Sequence, residues 1–592
     1  MAPNPPSQPK ISWFPLVLFA VFLYCLFLSR PELRASDESV FAAVAQDMLA
    51  NGNWLNPHFQ GQPIRCFPLY PWAVALCSFF FFPPPAWGAP LSPAAIRLPA
   101  LLALLGLAAI AAVAAKRYRD REAGITAAAI VVSSAAALHV GLIAQNESFH
   151  ALLLTAGWFV WYELGPQRQR WAAAWGCSLL LVFTDMLNVG LAAPLQFYIP
   201  LLLATRPPRL KRQLQKSRHL LWCVFFALLF SLWVLRCCEQ PVFSWEAAIS
   251  PAASTEGDGF FRHLAVFPVK CLLYLMPWGL FFWTPFCLAL QPLEPRGSVC
   301  SFFRAVVFCS ALCAWLIPGT SPLSLLIILG PMAFLVSMNA PLVVRRNRFF
   351  FRRLSQWLGA GALAALALAS LGCLAVACGF IRIGTLTPSS LRAMMFIHIL
   401  IMMEAAYILL RSLSSRRSTI IAIACGWMGL LLAWRCMEVN ASALALPDRS
   451  RAARQIIDST GANAPLCSPE TIYLTASRPY PVQCHYLGVP VIRIRKPAED
   501  LPETPDEIYL LSNQHPLTKN RNWTPLSCEV DFTALSEWHI GDLNTFKPPL
   551  ALERLPLSGE AAAAHPRYLS SEKLRLYRGT LNSVSALPDT AL

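Results

Sequence analysis

Two adjacent carboxylates, Asp37 and Glu38, are side chains that could do acid-base chemistry. They follow the apolar run Ile11–Leu28, which is long enough to cross a bilayer, so we expect them at a membrane surface. A carboxylate there can take a proton from an acceptor hydroxyl or amine, or stabilise positive charge on it. Acids also favour helix N-termini. Asp37 is therefore either a candidate general base or the cap of the helix predicted to follow.

Glu147 is the second candidate, between two apolar runs in the segment Ala144-Gln145-Asn146-Glu147-Ser148. An ionisable group at a membrane boundary is costly unless it is used or hydrated. Glu147 and His150 are three residues apart and share a helix face, so they are also a weak candidate pair for a divalent metal. The alternative for Glu147 is an ordinary loop acid.

Asp258, Arg262 and His263 form a third group, predicted to lie in an outer loop before the apolar segment that begins near residue 267. The planar fork of an Arg suits phosphate because it can donate to two oxygens at once. The alternative is an Arg that extends to the lipid headgroups beside a surface His. These residues alone favour neither interpretation.

The elements that must position these groups are membrane helices. Apolar residues are 56% of the chain and charged residues 14%, and the mean hydropathy is +0.49, which indicates an integral membrane protein. The net charge of +16 comes mainly from short loops, so it predicts orientation in the membrane and no nucleic-acid partner. We predict about thirteen spans, at residues 11–28, 95–115, 123–143, 148–164, 171–187, 189–204, 219–235, 267–290, 301–317, 322–339, 356–378, 391–411 and 419–437.

The distribution of basic residues predicts the topology. The apolar run Leu69–Phe82 is short and bounded by prolines, so we interpret it as interfacial or re-entrant. The basic loops then all face the cytoplasm, as does Met1; they are Lys116–Arg121, Arg206–Arg218, Arg345–Arg353 and Arg411–Arg417. The first run lacks a convincing cleavage site, so it is expected to be a retained span. The acids of the outer loops then face away from the cytoplasm.

The segment after Glu38 carries a recognisable order of residues. An amphipathic helix is predicted by Phe41, Val44, Ala45, Met48 and Leu49, and Asn51-Gly52 should end it. A loop rich in proline and aromatic residues follows. Its distinctive residues, with the acids and the Met-Leu pair before it, are Asp37, Glu38, Met48, Leu49, Gly52, Trp54, Pro57, Gly61, Pro63, Pro68, Leu69, Tyr70 and Trp72.

This order resembles the first external loop of a membrane glycosyltransferase family, which includes the bacterial aminoarabinose transferases that modify lipid A and is related to the protein O-mannosyltransferases. The resemblance implies a C-type glycosyltransferase fold and a polyprenyl-phosphate sugar as donor. The acceptor would be a lipid such as lipid A, a glycan or a protein, and membrane lipids would be the other partners. The location implied is the inner membrane, with a site facing away from the cytoplasm.

The resemblance also implies roles for single residues. Asp37 would occupy the catalytic acid position of the first loop, with Glu38 beside it, and Glu147 would match a further acid of the family. Arg262, and more weakly Arg65 and Arg97, would bind the donor phosphate. The family brings a basic or His-bearing loop toward that phosphate or a divalent metal, which makes Asp258 and His263 further candidates and a metal ion a candidate cofactor.

Several positions depart from the family pattern. The usual acidic-Lys-Pro step reads Arg65-Cys66-Phe67-Pro68, and the usual Lys-Gly pair is replaced in the segment Thr184–Gly190, which contains Asp185. Two expected cations are therefore absent. The competing hypothesis is a divergent, non-catalytic membrane protein, either a transporter or an envelope-assembly factor. A transporter should show internal repeats, and we find none.

The composition changes near residue 446. We divide the chain into a transmembrane domain, residues 1–445 with the first external loop at 30–94, and a small external α/β domain, residues 446–592. Arg449–Thr460 is predicted as a helix, and Thr471–Thr475, Pro490–Arg495 and Glu507–Leu511 as strands. This domain also contains Cys467, Cys484 and Cys528, of which the first two are candidates for a disulfide in an oxidising compartment.

Overall fold

The chain forms two compact units in a computed structural model. The first comprises residues 1–30, 97–446 and 540–555, and the second residues 31–96, 447–539 and 556–592. The structure describes residues 14–28, 37–55, 57–59, 62–63, 67–83, 91–141, 143–204, 207–237, 260–316, 322–378, 389–414, 419–445, 472–475, 487, 491–494, 501, 507–513, 516, 521–535 and 569–581. The predicted helix Arg449–Thr460 lies outside these residues, as do Cys467 and Cys484.

The first unit is helical because its sequence is a series of apolar runs separated by short basic loops. Its helices are α1 (Phe14–Leu28), α4 (Pro93–Tyr118, whose first turn belongs to the second unit), α5 (Arg121–Ser133), α6 (Ala135–Gly141), α7 (Glu147–Tyr162), α8 (Trp171–Val189), α9 (Ala192–Ala204), α10 (Pro207–Leu214), α11 (Ser217–Cys237), α12 (Phe260–Tyr274), α13 (Gly297–Leu316), α14 (Leu326–Arg346), α15 (Arg348–Ala377), α16 (Ser389–Ser414) and α17 (Thr419–Ala445). The Asp120 carboxylate caps α5 by accepting from the Ala123 N–H at 2.7 Å.

Among the described residues, six helices are long and apolar enough to cross a membrane, by length and composition. They lie within α4, α8, α13, α15, α16 and α17. Shorter apolar helices occupy most of the other predicted spans, including parts of α9, α11, α12 and α14. The chain is thus a multi-pass membrane protein, although the described helices do not confirm thirteen spans.

Two predicted spans are interrupted. Residues 267–290 do not form one helix, because α12 ends at Tyr274 and short 3₁₀ turns follow, at Trp278–Phe281 and Thr284–Phe286. Pro277 and Pro285 lie at these turns, and a proline removes the N–H that a continuing helix needs. The span predicted at 123–143 is divided at Ser134, between α5 and α6.

Aromatic side chains form much of the core of the first unit. The Phe159 ring lies 4.1 Å from Phe303 and 5.4 Å from Phe334, which joins α7, α13 and α14. Gly330 lets α14 approach α7 closely, since a Cβ there would lie 2.8 Å from the Thr155 methyl carbon. Small residues permit this close approach between membrane helices. The packing fixes the helix that begins at Glu147.

The second unit contains the first external loop. Its helices are α2 (Asp37–Asn51) and α3 (Leu69–Phe81), and a short hairpin pairs β1 (His58–Phe59) with β2 (Gln62–Pro63). The rings of Phe41 and Tyr70 lie 4.8 Å apart, and the Tyr70 hydroxyl donates to the Ile96 carbonyl at 3.1 Å. The Trp72 indole N–H donates to the Trp54 carbonyl at 2.7 Å. The aromatic residues of the loop therefore hold α2, α3 and the first turn of α4 in a defined arrangement.

A five-stranded mixed sheet forms the rest of the described second unit, in the order β4-β3-β5-β7-β6. Its strands are β3 (Ile472–Thr475), β4 (Val491–Arg493), β5 (Glu507–Ser512), β6 (Arg521–Leu535) and β7 (Leu569–Leu581). β3 pairs in parallel with β4 and β5, whereas β7 pairs antiparallel with β5 and β6. The three predicted strands are confirmed as β3, β4 and β5, and two more were not predicted.

Candidate active site

Helix α2 begins at Asp37, as the sequence predicts. Glu38 is completely buried, and Phe41, Val44 and Met48 lie on the buried face of the helix. The helix ends at Asn51, and Gly52 has φ +73°, a left-handed conformation that glycine adopts without strain. The Asp37 side chain lies outside the described part of the structure, so its roles as base and as cap both stay predictions.

The structure describes the predicted phosphate-binding arginines to different extents. Arg97 is 1% exposed, and its Nη1 donates to the Leu28 carbonyl at the end of α1 at 3.2 Å. A cation at a helix C-terminus is stabilised by the helix dipole, so Arg97 has a structural role there. Arg65 and Asp258 lie outside the described residues. Arg262 and His263 lie in the first turn of α12, and their side chains are not among those described.

The best-defined polar cluster surrounds His150 on α7. Its Nδ1 lies 2.6 Å from Asp185 Oδ2, and its Nε2 lies 2.7 Å from Gln196 Oε1. His150 is 5% exposed and Asp185 is completely buried. Asp185 lies within α8, four residues before the helix ends at Val189. The three side chains join the start of α7, the end of α8 and the start of α9.

Asn146 and Asn188 close the same end of these helices. The Asn188 Nδ2 donates to the Asn146 carbonyl at 3.0 Å and to Asp185 Oδ1 at 3.4 Å. The Asn146 Nδ2 returns a bond to the Asn188 carbonyl at 3.4 Å. The turn that follows α8 contains Gly190 at φ +67°, ψ −143°, a conformation open almost only to glycine. These bonds fix the backbone immediately before Glu147.

Glu147 occupies the first turn of α7 and is partly exposed. It lies one helical turn from His150, which the pair with Asp185 holds in place. An acid is favoured at a helix N-terminus by the helix dipole, and one oxygen of this carboxylate, Oε2, is buried. The arrangement places the Glu147 carboxyl group on a rigid, hydrogen-bonded helix end.

The described residues do not fit a metal site at Glu147 and His150. Both ring nitrogens of His150 already have protein partners, so neither offers a lone pair to an ion. Among the residues described, no group of three His, Cys, Asp or Glu side chains could hold a metal. The side chain of the other metal candidate, His263, is not described, so a metal ion as cofactor stays a prediction.

Gln196 and Asn188 were not predicted as members of this cluster. Gln196 lies in the apolar run Leu191–Leu203, where it and His150 are polar residues in otherwise apolar helices. A polar side chain in a membrane helix usually faces a polar partner on a neighbouring helix. That signal was available, but the sequence does not say which partner each residue meets.

Comparisons with known proteins agree with the architecture. No protein-family profile matches the sequence. An undecaprenyl phosphate-α-4-amino-4-deoxy-L-arabinose arabinosyl transferase of Sodalis glossinidius (strain morsitans) is 27% identical over 206 residues, which span 32% of this chain and 34% of that protein. The match thus covers about a third of the relative's length.

The structural likeness extends further. The crystal structure of ArnT from Cupriavidus metallidurans bound to undecaprenyl phosphate has a TM-score of 0.61 at 16% identity, covering 85% of this chain and 94% of that one. The same protein in its apo state has a TM-score of 0.59, also at 16% identity, covering 84% and 92%. The resemblance found in the first external loop is therefore confirmed: the chain has the C-type glycosyltransferase fold of ArnT and is similar in sequence to an aminoarabinose transferase.

Proposed function

We propose that this chain is a glycosyltransferase of the inner membrane that transfers one sugar from a polyprenyl-phosphate donor to an acceptor outside the cytoplasm. The observation that carries the proposal is the 206-residue similarity to a transferase named for an undecaprenyl phosphate sugar. The fold shared with ArnT supports it independently, because that protein has been crystallised with undecaprenyl phosphate.

The proposed reaction inverts the anomeric carbon. An acceptor oxygen or nitrogen attacks this carbon, and the bond to the lipid phosphate breaks with its electron pair moving to the phosphate oxygen. Asp37 takes the proton of the acceptor, a role that typically contributes about 10²–10⁴-fold in rate. Arg65 and Arg262 balance charge on the departing phosphate, whereas the buried Arg97 has the structural role described above. An acceptor that is itself a phosphate is already nucleophilic and needs no base.

Glu147 is proposed to orient the donor or the acceptor. A carboxylate accepts hydrogen bonds from sugar hydroxyls, and its usefulness depends on a fixed position. The bonds of His150 with Asp185 and Gln196 supply that rigidity, since all three side chains are at the helix end where Glu147 lies. His150 and Asp185 are thus positioning residues in this proposal.

The proposal is tested by mass spectrometry of lipids and glycans from membranes with the wild-type chain, without it, and with Asp37→Asn. We expect a sugar-modified product only with the wild type, together with accumulation of the sugar-linked polyprenyl phosphate in the other two. An unchanged set of products in all three would contradict the proposal. A sugar-linked lipid pool that moves between leaflets without forming product would favour the transporter hypothesis instead.

A further inference from the structure

The junction of α14 and α15 carries a concentrated positive charge. Five arginines lie within nine residues, and we call them the arginine corner: Arg345, Arg346, Arg348, Arg352 and Arg353. All five are exposed. The two helices contain no Asp or Glu, and none of the five makes an ion pair in the part of the chain that the structure describes. The charge of the corner is therefore not neutralised by the described protein.

Exposed aromatic rings surround these arginines. Phe349 is 69% exposed and Trp357 is 76% exposed. The Arg353 guanidinium lies 4.2 Å from the centre of the Phe349 ring, a cation–π contact that holds it in place. Arg353 and Trp357 are four residues apart on one helix face, so the indole lies about 6 Å further along α15. A basic side chain followed one turn later by a Trp is typical of the boundary between lipid headgroups and acyl chains.

The corner is also fixed against the protein. Phe351 lies between the exposed rings in sequence but is buried, and it stacks on Phe281 with centroids 5.1 Å apart. The rest of α15 is a candidate membrane span. The exposed arginines and aromatic rings therefore lie at the end of a membrane-crossing helix, where lipid headgroups are expected. The packing of Phe351 on Phe281 fixes their orientation.

We propose that the arginine corner binds the phosphate headgroups of anionic phospholipids in the cytoplasmic leaflet, with acyl chains against Phe350 and Trp357. A guanidinium fork donates to two phosphate oxygens at once and gives up its hydration readily. Adjacent basic residues add their attraction to an anionic surface. The leaflet follows from the predicted topology. The proposal is independent of the transfer reaction.

A different explanation is that these arginines only orient the chain during insertion. That explanation requires positive charge on one side but no retained lipid. The two explanations differ in what happens after purification. A built headgroup site keeps anionic lipid on the folded protein, whereas an orientation signal has no preference between lipids of equal chain length.

The test uses the full-length protein in detergent, with native mass spectrometry after addition of phosphatidylglycerol or phosphatidylcholine of identical acyl chains. We expect the wild type to retain phosphatidylglycerol preferentially. The triple variant Arg348→Gln, Arg352→Gln, Arg353→Gln should retain it about tenfold less, since each basic residue contributes to the attraction. Retention of phosphatidylcholine should not change. Equal retention of phosphatidylglycerol by wild type and variant would overturn the proposal.

Two further variants serve as controls, one for binding by general positive charge and one for failure of the protein to insert. The triple Lys211→Gln, Arg212→Gln, Lys216→Gln removes the same charge from exposed positions of another basic loop, and it should retain phosphatidylglycerol like the wild type. An equal loss in this control would show that any basic loop attracts the lipid through its charge alone, which contradicts a specific site.

If the Gln triple does not insert, the Arg→Lys triple at 348, 352 and 353 keeps the orienting charge. It should bind about threefold less phosphatidylglycerol, because Lys lacks the fork; unchanged binding would again refute the site.

Discussion

At the scale of single residues, the polar cluster around His150 joins three helices at the end of α7 where Glu147 lies. The partners of His150, Asp185 and Gln196, come from two other helices. The sequence predicts that Glu147 and His150 share a helix face, because their spacing shows it. It could not show that Asp185 faces His150, since that pairing depends on how α7 and α8 pack.

We predict that Asp185→Ala destabilises the protein strongly and that Asp185→Asn does so less. Removing one member of a buried pair typically costs about 3–5 kcal/mol, because the other group stays buried without its partner. An Asn keeps an oxygen that can accept from His150 Nδ1. Thermal unfolding in detergent, followed by size-exclusion fluorescence, measures the order. Thr184→Ala, at the adjacent position, is the control and should change little; equal stability of Asp185→Ala and wild type would show that the pair is unimportant.

Glu147→Gln should lower the transfer rate by about 100-fold while leaving the unfolding temperature nearly unchanged, if the carboxylate orients a substrate. Gln has nearly the same volume as Glu, so the packing around this partly exposed side chain should change little. Glu122→Gln is a matched control, because Glu122 also lies in the first turn of an apolar helix, α5. Turnover by Glu147→Gln at the wild-type rate would reduce Glu147 to a structural acid.

At the scale of elements, apolar length was a good guide to helices and a poor guide to where they are interrupted. The run after residue 267 is apolar enough to predict a span, yet Pro277 and Pro285 were visible in the sequence and the helix ends before them. Proline effects are local, whereas a hydropathy average spreads over the whole window. The interruption was therefore predictable from residue types but not from the average.

Two strands, β6 and β7, were not predicted, and the physical reason differs between them. β7 alternates as a half-buried strand should: Leu574 and Leu576 are completely buried, and Arg575 between them is exposed. This alternation is short and lies in a polar segment, so it is a weak signal in the sequence. β6 contains Pro525, which argues against a central strand, but β6 lies at the edge of the sheet and its register shifts between Pro525 and Glu529. Edge position cannot be deduced before the pairing is known.

Helix α3 tests the topology at this scale. It has 13 residues, from Leu69 to Phe81, and its far end exposes Phe79, Phe80 and Phe81. A helix of this length is too short to cross a bilayer of about 30 Å, so we predict that it lies in the interface. Glycosylation or labelling reporters placed before Pro68 and after Pro85 should report the same side. Reporters on opposite sides would show that α3 crosses.

At the scale of the whole molecule, composition predicted a multi-pass membrane protein, and the order of residues in one loop predicted the fold. The loop was informative because prolines, glycines and aromatic residues at fixed spacing leave few backbone paths, and Trp54, Tyr70 and Trp72 indeed make defined contacts. Chemistry is harder to predict, since it depends on side chains such as Asp37 whose neighbours come from distant parts of the chain.

The one-sided distribution of basic residues predicts that Met1 is cytoplasmic and that Asp37, Glu147, Asp258 and residues 446–592 are external. Single cysteines introduced at exposed positions of the external segments should react with a membrane-impermeant maleimide in intact spheroplasts. A cysteine in the arginine corner should react only after permeabilisation. Protection of the terminal domain in intact spheroplasts would reverse the orientation and place the proposed site in the cytoplasm.

The central claim is that this chain breaks the bond between a sugar and a polyprenyl phosphate with Asp37 as base. It is tested most directly by reconstituting wild type, Asp37→Asn and Glu38→Gln with the native membrane lipid extract and measuring the release of polyprenyl phosphate. We predict release by the wild type, a loss of about 10²–10⁴-fold in Asp37→Asn with protein level and donor binding retained, and a smaller effect in Glu38→Gln. Asn can still cap a helix, so a capping role alone would leave turnover nearly intact. Near-normal release by Asp37→Asn with an uncharged acceptor would contradict the account.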